Sequence, residues 1–162
     1  KLPIMYVIEN NKYCLSTPIG SVSAVDDLSK RAEAYGFPGE QVDGMDVDAV
    51  RAAADRAVRH ARSGQGPVLL ECLTYRYYGH SRSDPTSYRT KEEEQSWKAR
   101  DPISVFAARL EAGGVVSPKD LAEMDRRIED LLDHSYEFAD RIEDTETAEI
   151  YTDIYALQEG VR

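Results

Sequence analysis

The chain has 162 residues, 41% hydrophobic and 31% charged, enough for one ordinary domain with a real core. Its 20 Lys plus Arg against 30 Asp plus Glu give net charge -10, which argues against non-specific attraction to nucleic acid or an anionic membrane. No apolar run approaches the ~18 residues of a membrane span, and Cys14 and Cys72 make no CxxC pair, which fits a reducing compartment better than a disulfide scaffold or a structural zinc site.

Residues 3–8 form a nearly continuous apolar run, which predicts a strand covered on both faces, as in a parallel sheet. The chain starts at Lys1, without a basic n-region and cleavage site, and enters this strand at once, which suggests a fragment or a processed product. Residues 16–25 are small and polar and read as a loop. The stretch DDLSKRAEAYG opens on acidic residues and ends at Gly36, the start and stop of a short helix. FPGEQVDGMD leaves room only for a very short strand at Gln41 and Val42. Asp46 can cap the next helix, whose stripe of Val47, Val50, Ala54, Ala57, Val58 and Ala61 ends at Gly64. GPVLLECLTYR, residues 66–76, is the second strong strand. This alternation is that of an α/β layered sheet.

From Tyr77 the hydrophobic period stops, and YYGHSRSDPTSYRT reads as a long loop; loops of this kind in compact domains are often functional. KEEEQSWKAR resumes helical signals. Asp101, Pro102 and Gly113 then bracket a helix. Ser117 and Pro118 start another, where Leu121, Met124, Ile128, Leu131, Leu132, Phe138 and Ile142 fall at helical spacing and predict one packed face. The last twenty residues form an acidic tail, either docked or frayed.

Ligands of open α/β sheets bind beyond the carboxyl ends of the strands. Both polar clusters of this chain, residues 9–13 and 77–89, follow directly after strong strands. An Asn side-chain oxygen and a neighbouring carbonyl are hard neutral ligands suited to Mg²⁺ with substrate phosphates; the plainer reading is that Asn10 and Asn11 simply form a turn, since Asn is a standard turn former. His80 stands in its loop with Arg76, Arg82 and Arg89. That basic group can hold a phosphate, with His80 as donor or proton shuttle, or it is a solvated loop without a ligand. His60 and His134 read as surface residues on helices, the runs 92–94 and 143–149 as solvated faces, and the cysteines as core rather than nucleophiles.

Taken in order, IENNKYCLSTP, VDGMD, GPVLLECLTYRYYGHSRSDPTSYRTKEE and DPI resemble the α subunit of the thiamine-diphosphate-dependent E1 component of 2-oxoacid dehydrogenase complexes, a family that includes pyruvate, branched-chain 2-oxoacid and acetoin enzymes. The resemblance covers residues 1–103 strongly and implies the carboxyl half of the α chain. The implied fold is part of a thiamine-diphosphate-binding α/β domain over residues 1–100, a parallel sheet flanked by helices, followed by a helical extension and acidic tail over 101–162. In the family the Asn-Asn pair closes a motif that opens upstream with Gly-Asp-Gly, which is absent here. The matching positions make Asn11 a side-chain ligand and Tyr13 a carbonyl ligand of Mg²⁺, with the ion bridging the cofactor diphosphate. His80 falls on the family's loop histidine, which contacts the cofactor's diphosphate side and serves its intermediates. Ser81 and Ser87 match regulatory phosphorylation positions, where added charge beside a diphosphate would repel it and disorder the loop.

The resemblance further implies an E1 β subunit that carries the activating carboxylate, a second α subunit, the E2 dihydrolipoyl acyltransferase, the N-terminal half of the α chain and a 2-oxoacid substrate. The loop wording leans to pyruvate, in a bacterial cytoplasm or a mitochondrial matrix. The segment alone is expected to lack turnover. A non-catalytic interaction module on the same fold is the alternative from another class; a phosphate-binding regulator has no glycine-rich loop to support it.

Overall fold

A computed structural model of the chain describes residues 1–152; the part of the predicted acidic tail over 153–162 lies outside them. The chain divides into two compact units, Lys1–Val115 and Val116–Arg162.

The first unit is built on a three-stranded parallel sheet of β1 (Met5–Asn10), β5 (Val68–Leu73) and β4 (Gly39–Asp43), with β5 in the centre. A small antiparallel pair, β2 (Tyr13–Cys14) and β3 (Thr17–Pro18), follows β1. The helix α1 (Val47–Arg62) starts where the Asp46 carboxylate accepts the amides of Asp48 and Ala49, replacing two of the partners a helix start lacks. Its alanines Ala53, Ala57 and Ala61 are buried. Their small size brings the helix close to the sheet, where Ala53, Leu70 and Cys72 form the core with Met5, Val42 and Val50 packed around them.

The helix predicted before β4 is present as a 3-10 helix, Leu28–Tyr35, capped by Asp27 and ended at Gly36 with φ 74. It covers the other face of the sheet, so closely that a Cβ on Gly39 would sit 2.0 Å from the Ser29 carbonyl oxygen.

The strand β1 differs from expectation. It is an edge strand, and Tyr6 and Val7 are about half exposed at 49% and 50%. An apolar run states that both faces suit burial; in this unit only β5 pairs with it. Beside it Tyr6, Phe37 and Tyr35 stack with ring centroids 5.9 Å apart at each step.

Two helices end the unit: α2 (Lys91–Lys98), capped by Thr90, and α3 (Pro102–Ala112), capped by Asp101. The second unit holds α4 (Pro118–Arg141), which opens on a capping box between Ser117 and Asp120, and a 3-10 turn at Thr147–Tyr151. Met124, Ile128, Leu131, Leu132 and Phe138 on α4 are exposed rather than packed. The described residues of this unit contain no second long element against which the stripe can close.

The register brings the carboxyl ends of the three strands to one line, with Asn10 opposite Leu73 and Leu73 opposite Asp43. The backbone crosses there without slack: the Thr74 amide donates to the Asn10 carbonyl at 2.9 Å and the Gly44 amide to the Leu73 carbonyl at 2.8 Å. A Cβ on Gly44 would lie 2.7 Å from that Leu73 oxygen, so only glycine fits.

Candidate functional site

At the end of β1 the chain turns within three residues. The Asn10 side chain is buried; its Nδ2 donates to Glu71 Oε1 at 2.7 Å and its Oδ1 accepts the Lys12 amide at 3.1 Å. The next residue repeats the device, with Asn11 Oδ1 accepting the Tyr13 amide at 3.2 Å. Lys12 between them has φ 73, a left-handed conformation that side chains other than Asn, Asp and Gly seldom adopt. Two overlapping side-chain turns hold it there. The turn reading of Asn10 and Asn11 therefore holds, and it does not compete with a ligand role, because an amide oxygen keeps a second lone pair. The strand partner of Tyr13 is Pro18, which has no N–H to offer the Tyr13 carbonyl.

Those two oxygens suit a hard cation. Among the described residues no three His, Cys, Asp or Glu side chains gather as a metal site. A cation at this turn would rest on neutral oxygens and take its counter-charge from a bound anion, as Mg²⁺ does with a diphosphate.

The segment after β5, residues 74–90, has no regular structure and is fastened at its base. Arg89 is buried; its guanidinium donates to the Arg76 carbonyl and, at 2.7 Å, to the Tyr77 carbonyl. Its Nε lies 2.7 Å from the Glu94 carboxylate, an ion pair off the line of the N–H. The same guanidinium stands 5.3 Å from the Tyr75 ring, 5.9 Å from Tyr88 and 6.0 Å from Tyr13, cation–π distances. Arg76 donates to the Leu15 carbonyl and to the Tyr88 hydroxyl. This corrects the expected basic cluster: Arg76 and Arg89 are committed to carbonyls that close the loop, and only Arg82 is exposed.

Burial and the Glu93 carboxylate, which accepts from the Tyr13 hydroxyl at 2.8 Å, push Tyr13 up to about 12. Tyr77, donating to Asp101 at 2.9 Å, is pushed up to about 12, first by burial. Both phenols stay protonated donors. Tyr75 stacks on Trp97 at 5.2 Å and 6°, so α2 and α3 are both pinned to the strand ends.

The tip of the loop is organised by Asp84. Its carboxylate accepts the His80 amide at 2.7 Å, the Thr86 amide at 2.9 Å and the Tyr88 hydroxyl at 2.9 Å. The His80 amide, then that of Thr86, holds this carboxyl below its usual range. A Cβ on Gly79 would meet the Asp84 side chain at 2.6 Å, so the turn requires glycine. The His80 ring, Ser81 and Ser87 are exposed. His80 and Ser81 line both an open cleft of about 570 Å³ with Arg82 and Lys98 and a neighbouring one of about 370 Å³ with Leu15 and Ser87.

Asn11, Tyr13 and His80 thus stand on segments that leave adjacent strands at the same sheet edge. His134 is exposed on α4, with Nδ1 2.6 Å from the Asp130 carbonyl oxygen. His60 is partly buried on α1 rather than fully on the surface, with Nε2 enclosed and unpaired. Cys14 is exposed and Cys72 buried; burial pushes the Cys72 thiol up, as for an inert core cysteine. Sequence reasoning missed Glu71 and the structural use of Asn10. The one signal was a lone Glu inside the apolar run PVLLECL.

Among the described residues no helix is long and apolar enough to cross a membrane. The family model described as "Dehydrogenase E1 component" matches residues 1–148. The chain is 48% identical over 155 residues to a pyruvate dehydrogenase E1 component subunit alpha of Rhizobium meliloti (strain 1021), covering 95% of this chain and 44% of that protein. It is 43% identical over 139 residues to the subunit alpha of Porphyra purpurea, 86% of this chain and 40% of that one. To a chloroplastic subunit alpha-3 of Arabidopsis thaliana it is 36% identical over 160 residues, 99% of this chain and 37% of that one. The chain spans less than half the length of these curated relatives.

Proposed function

The chain belongs to the dehydrogenase E1 component family, and on that premise we propose that it forms the carboxyl half of an E1 α subunit in oxidative decarboxylation of a 2-oxoacid, pyruvate by the names of its relatives. Residues 1–100 supply the C-terminal half of the thiamine-diphosphate domain and 101–162 a helical extension and tail. The observation that supports this best is the pair of structured segments, the Asn11 turn and the His80 loop, leaving β1 and β5 at one sheet edge.

Asn11 Oδ1 and the Tyr13 carbonyl would hold Mg²⁺, which would supply there the positive charge that a diphosphate requires. When bound, thiamine diphosphate would supply a carbon nucleophile and an electron sink for decarboxylation of a 2-oxoacid, and the disulfide of a lipoyl arm on E2 would be reduced by two electrons as it takes up the remaining unit as an acyl group. His80, carried by the loop that Arg89 and Asp84 shape, donates a hydrogen bond or a proton on the diphosphate side. Its imidazole suits that task because its two ring nitrogens can donate and accept. Tyr77 remains protonated and lines the cleft beside it. Phosphate on Ser81 or Ser87 adds about -1.5 to -2 charges beside the diphosphate site and switches it off by repulsion and loop disorder.

The activating carboxylate comes from a β subunit, so the working unit needs that subunit, a second α chain, the rest of the α chain and E2, in the cytoplasm of a bacterium or a mitochondrial matrix. The 162-residue segment has no turnover alone. Acetoin and, separately, branched-chain 2-oxoacids are the substrate alternatives, and a non-catalytic module is the alternative role.

Calorimetric titration of the full α chain, assembled with its β subunit, by thiamine diphosphate and Mg²⁺ tests this. Asn11→Ala abolishes Mg²⁺-dependent binding, whereas His80→Ala weakens binding and, in an assay of the same assembly, lowers turnover by a factor on the order of 10² or more. Unchanged binding in Asn11→Ala overturns the cation site. Turnover with acetoin or a branched-chain 2-oxoacid and none with pyruvate overturns the substrate.

A further inference from the structure

Glu71 is fully buried at the centre of the sheet. Among the described residues no Lys, Arg or His forms an ion pair with it. Its carboxyl oxygens accept from three neutral donors, and the Asp27 carboxyl lies within hydrogen-bonding reach of them. Asn10 Nδ2 lies 2.7 Å from Oε1; Gln41 Nε2 at 2.9 Å and the Ser29 amide at 3.2 Å both donate to Oε2. Ser29 shares that amide with Asp27 at 3.0 Å. A fully buried carboxyl group without a cation partner is an expensive way to join strands, since an apolar side chain of similar size usually serves stability as well or better. Its presence calls for something an apolar residue cannot do.

What it does is orient Asn10. An amide side chain can be turned either way, but here one side faces the Lys12 N–H, which donates only, and the other faces Glu71 Oε1, which accepts. Nδ2 must point to Glu71 and Oδ1 to Lys12. The Lys12 amide, held by Asn10, fixes the left-handed residue that separates Asn11 from Tyr13.

We propose that Glu71 is a positioning residue for the cation-holding turn: through Asn10 it sets the one backbone arrangement that presents the Asn11 side-chain oxygen and the Tyr13 carbonyl together. This rests on the cation site proposed above at those two atoms. Gln41 and Ser29 anchor the carboxylate from the other side, so that it cannot follow Asn10 if the turn relaxes. Partners that orient metal ligands from behind typically change metal affinity about ten- to a hundred-fold when lost.

The test exchanges donor and acceptor. Asn10→Asp keeps the size and keeps an oxygen facing Lys12, but sets a second carboxylate against Glu71. Adding Glu71→Gln restores that bond with its polarity reversed, the amide oxygen still accepting from Gln41 and Ser29. Two quantities are read in the full α chain assembled with its β subunit: Mg²⁺-dependent thiamine diphosphate affinity by calorimetry, and hydrogen–deuterium exchange of the peptide over residues 10–15 without metal.

Asn10→Asp is expected to weaken affinity about ten-fold or more and to speed exchange of that peptide. The double variant recovers both, a coupling that a double-mutant cycle reads directly. If the new carboxylate acted on the cation instead, it would strengthen binding whatever stands at 71. A double variant no better than Asn10→Asp, or Asn10→Asp with unchanged affinity and exchange, overturns the proposal. Should Asn10→Asp not fold, Glu71→Met, apolar and of similar size, carries the same expectation, and unchanged exchange there overturns it. Asn11→Ala separates the two readings: if it leaves metal binding intact the cation site fails, while exchange over residues 10–15 still decides whether Glu71 sets the turn.

Discussion

The two segments that leave the sheet edge are ordered in opposite ways. The turn after β1 is fixed from beneath by a buried chain of bonds from Glu71 to Asn10 to Lys12. The segment after β5 is fixed at its base by Arg89 and at its tip by Asp84, with His80, Ser81 and Ser87 left exposed between them. Under the proposed function, a turn that holds a cation benefits from having no freedom, and a loop that is modified or meets a substrate must present its side chains. The difference teaches that at one edge rigidity is supplied by burial in one case and by two point attachments in the other.

The largest effect is expected from removing the base attachment. Arg89→Met keeps the apolar stem among the tyrosines but abandons two carbonyls and Glu94, and breaking so buried a pairing costs about 3 kcal/mol. Urea unfolding of the first unit measures it, and faster amide exchange over residues 76–90 with no change over 10–15 would separate the two segments.

The tip depends on pH. The folded Asp84 carboxyl is held below its ordinary value, so its contribution is present at neutral pH and above and is lost as pH falls through that lowered value. Exchange of the 79–88 peptide, corrected for intrinsic rate, should therefore rise only in acid, and Asp84→Ala should raise it already at neutral pH and flatten the profile. A profile unchanged by Asp84→Ala would show that the tip is held by other groups.

The smallest effect belongs to the tight turn, where Lys12→Val puts a branched side chain at φ 73. A cost of about 1 kcal/mol in thermal unfolding is expected. No cost would mean that the turn relaxes, contrary to its attachment to Glu71.

Much of the frame was legible in the sequence because its signals are local. Asp46 and Gly64 bounded α1, and Ser117 with Pro118 opened α4, since a cap acts within one turn of its own residue. The cluster positions followed from a rule about strand ends rather than from any contact. The roles of individual polar residues were not legible, because they are decided by partners distant in sequence. Arg76, Arg82 and Arg89 look alike as a string, yet two are bound to carbonyls and one is free to face solvent. Glu71 draws its donors from residues 10, 29 and 41, three separate segments. The apolar run of β1 and the stripe on α4 say which surfaces suit burial, and not which segment covers them.

The stack of Tyr75 on Trp97 has a practical consequence. Trp97 is the chain's single tryptophan, it lies face to face with a tyrosine that also carries the Arg89 guanidinium, and Arg100 stands 5.4 Å from its ring. One indole therefore sits at the hinge between the sheet edge and the exposed loop, and its emission colour and intensity will follow any loosening at that point. The chain carries its own label-free fluorescent reporter, placed where the two kinds of order meet.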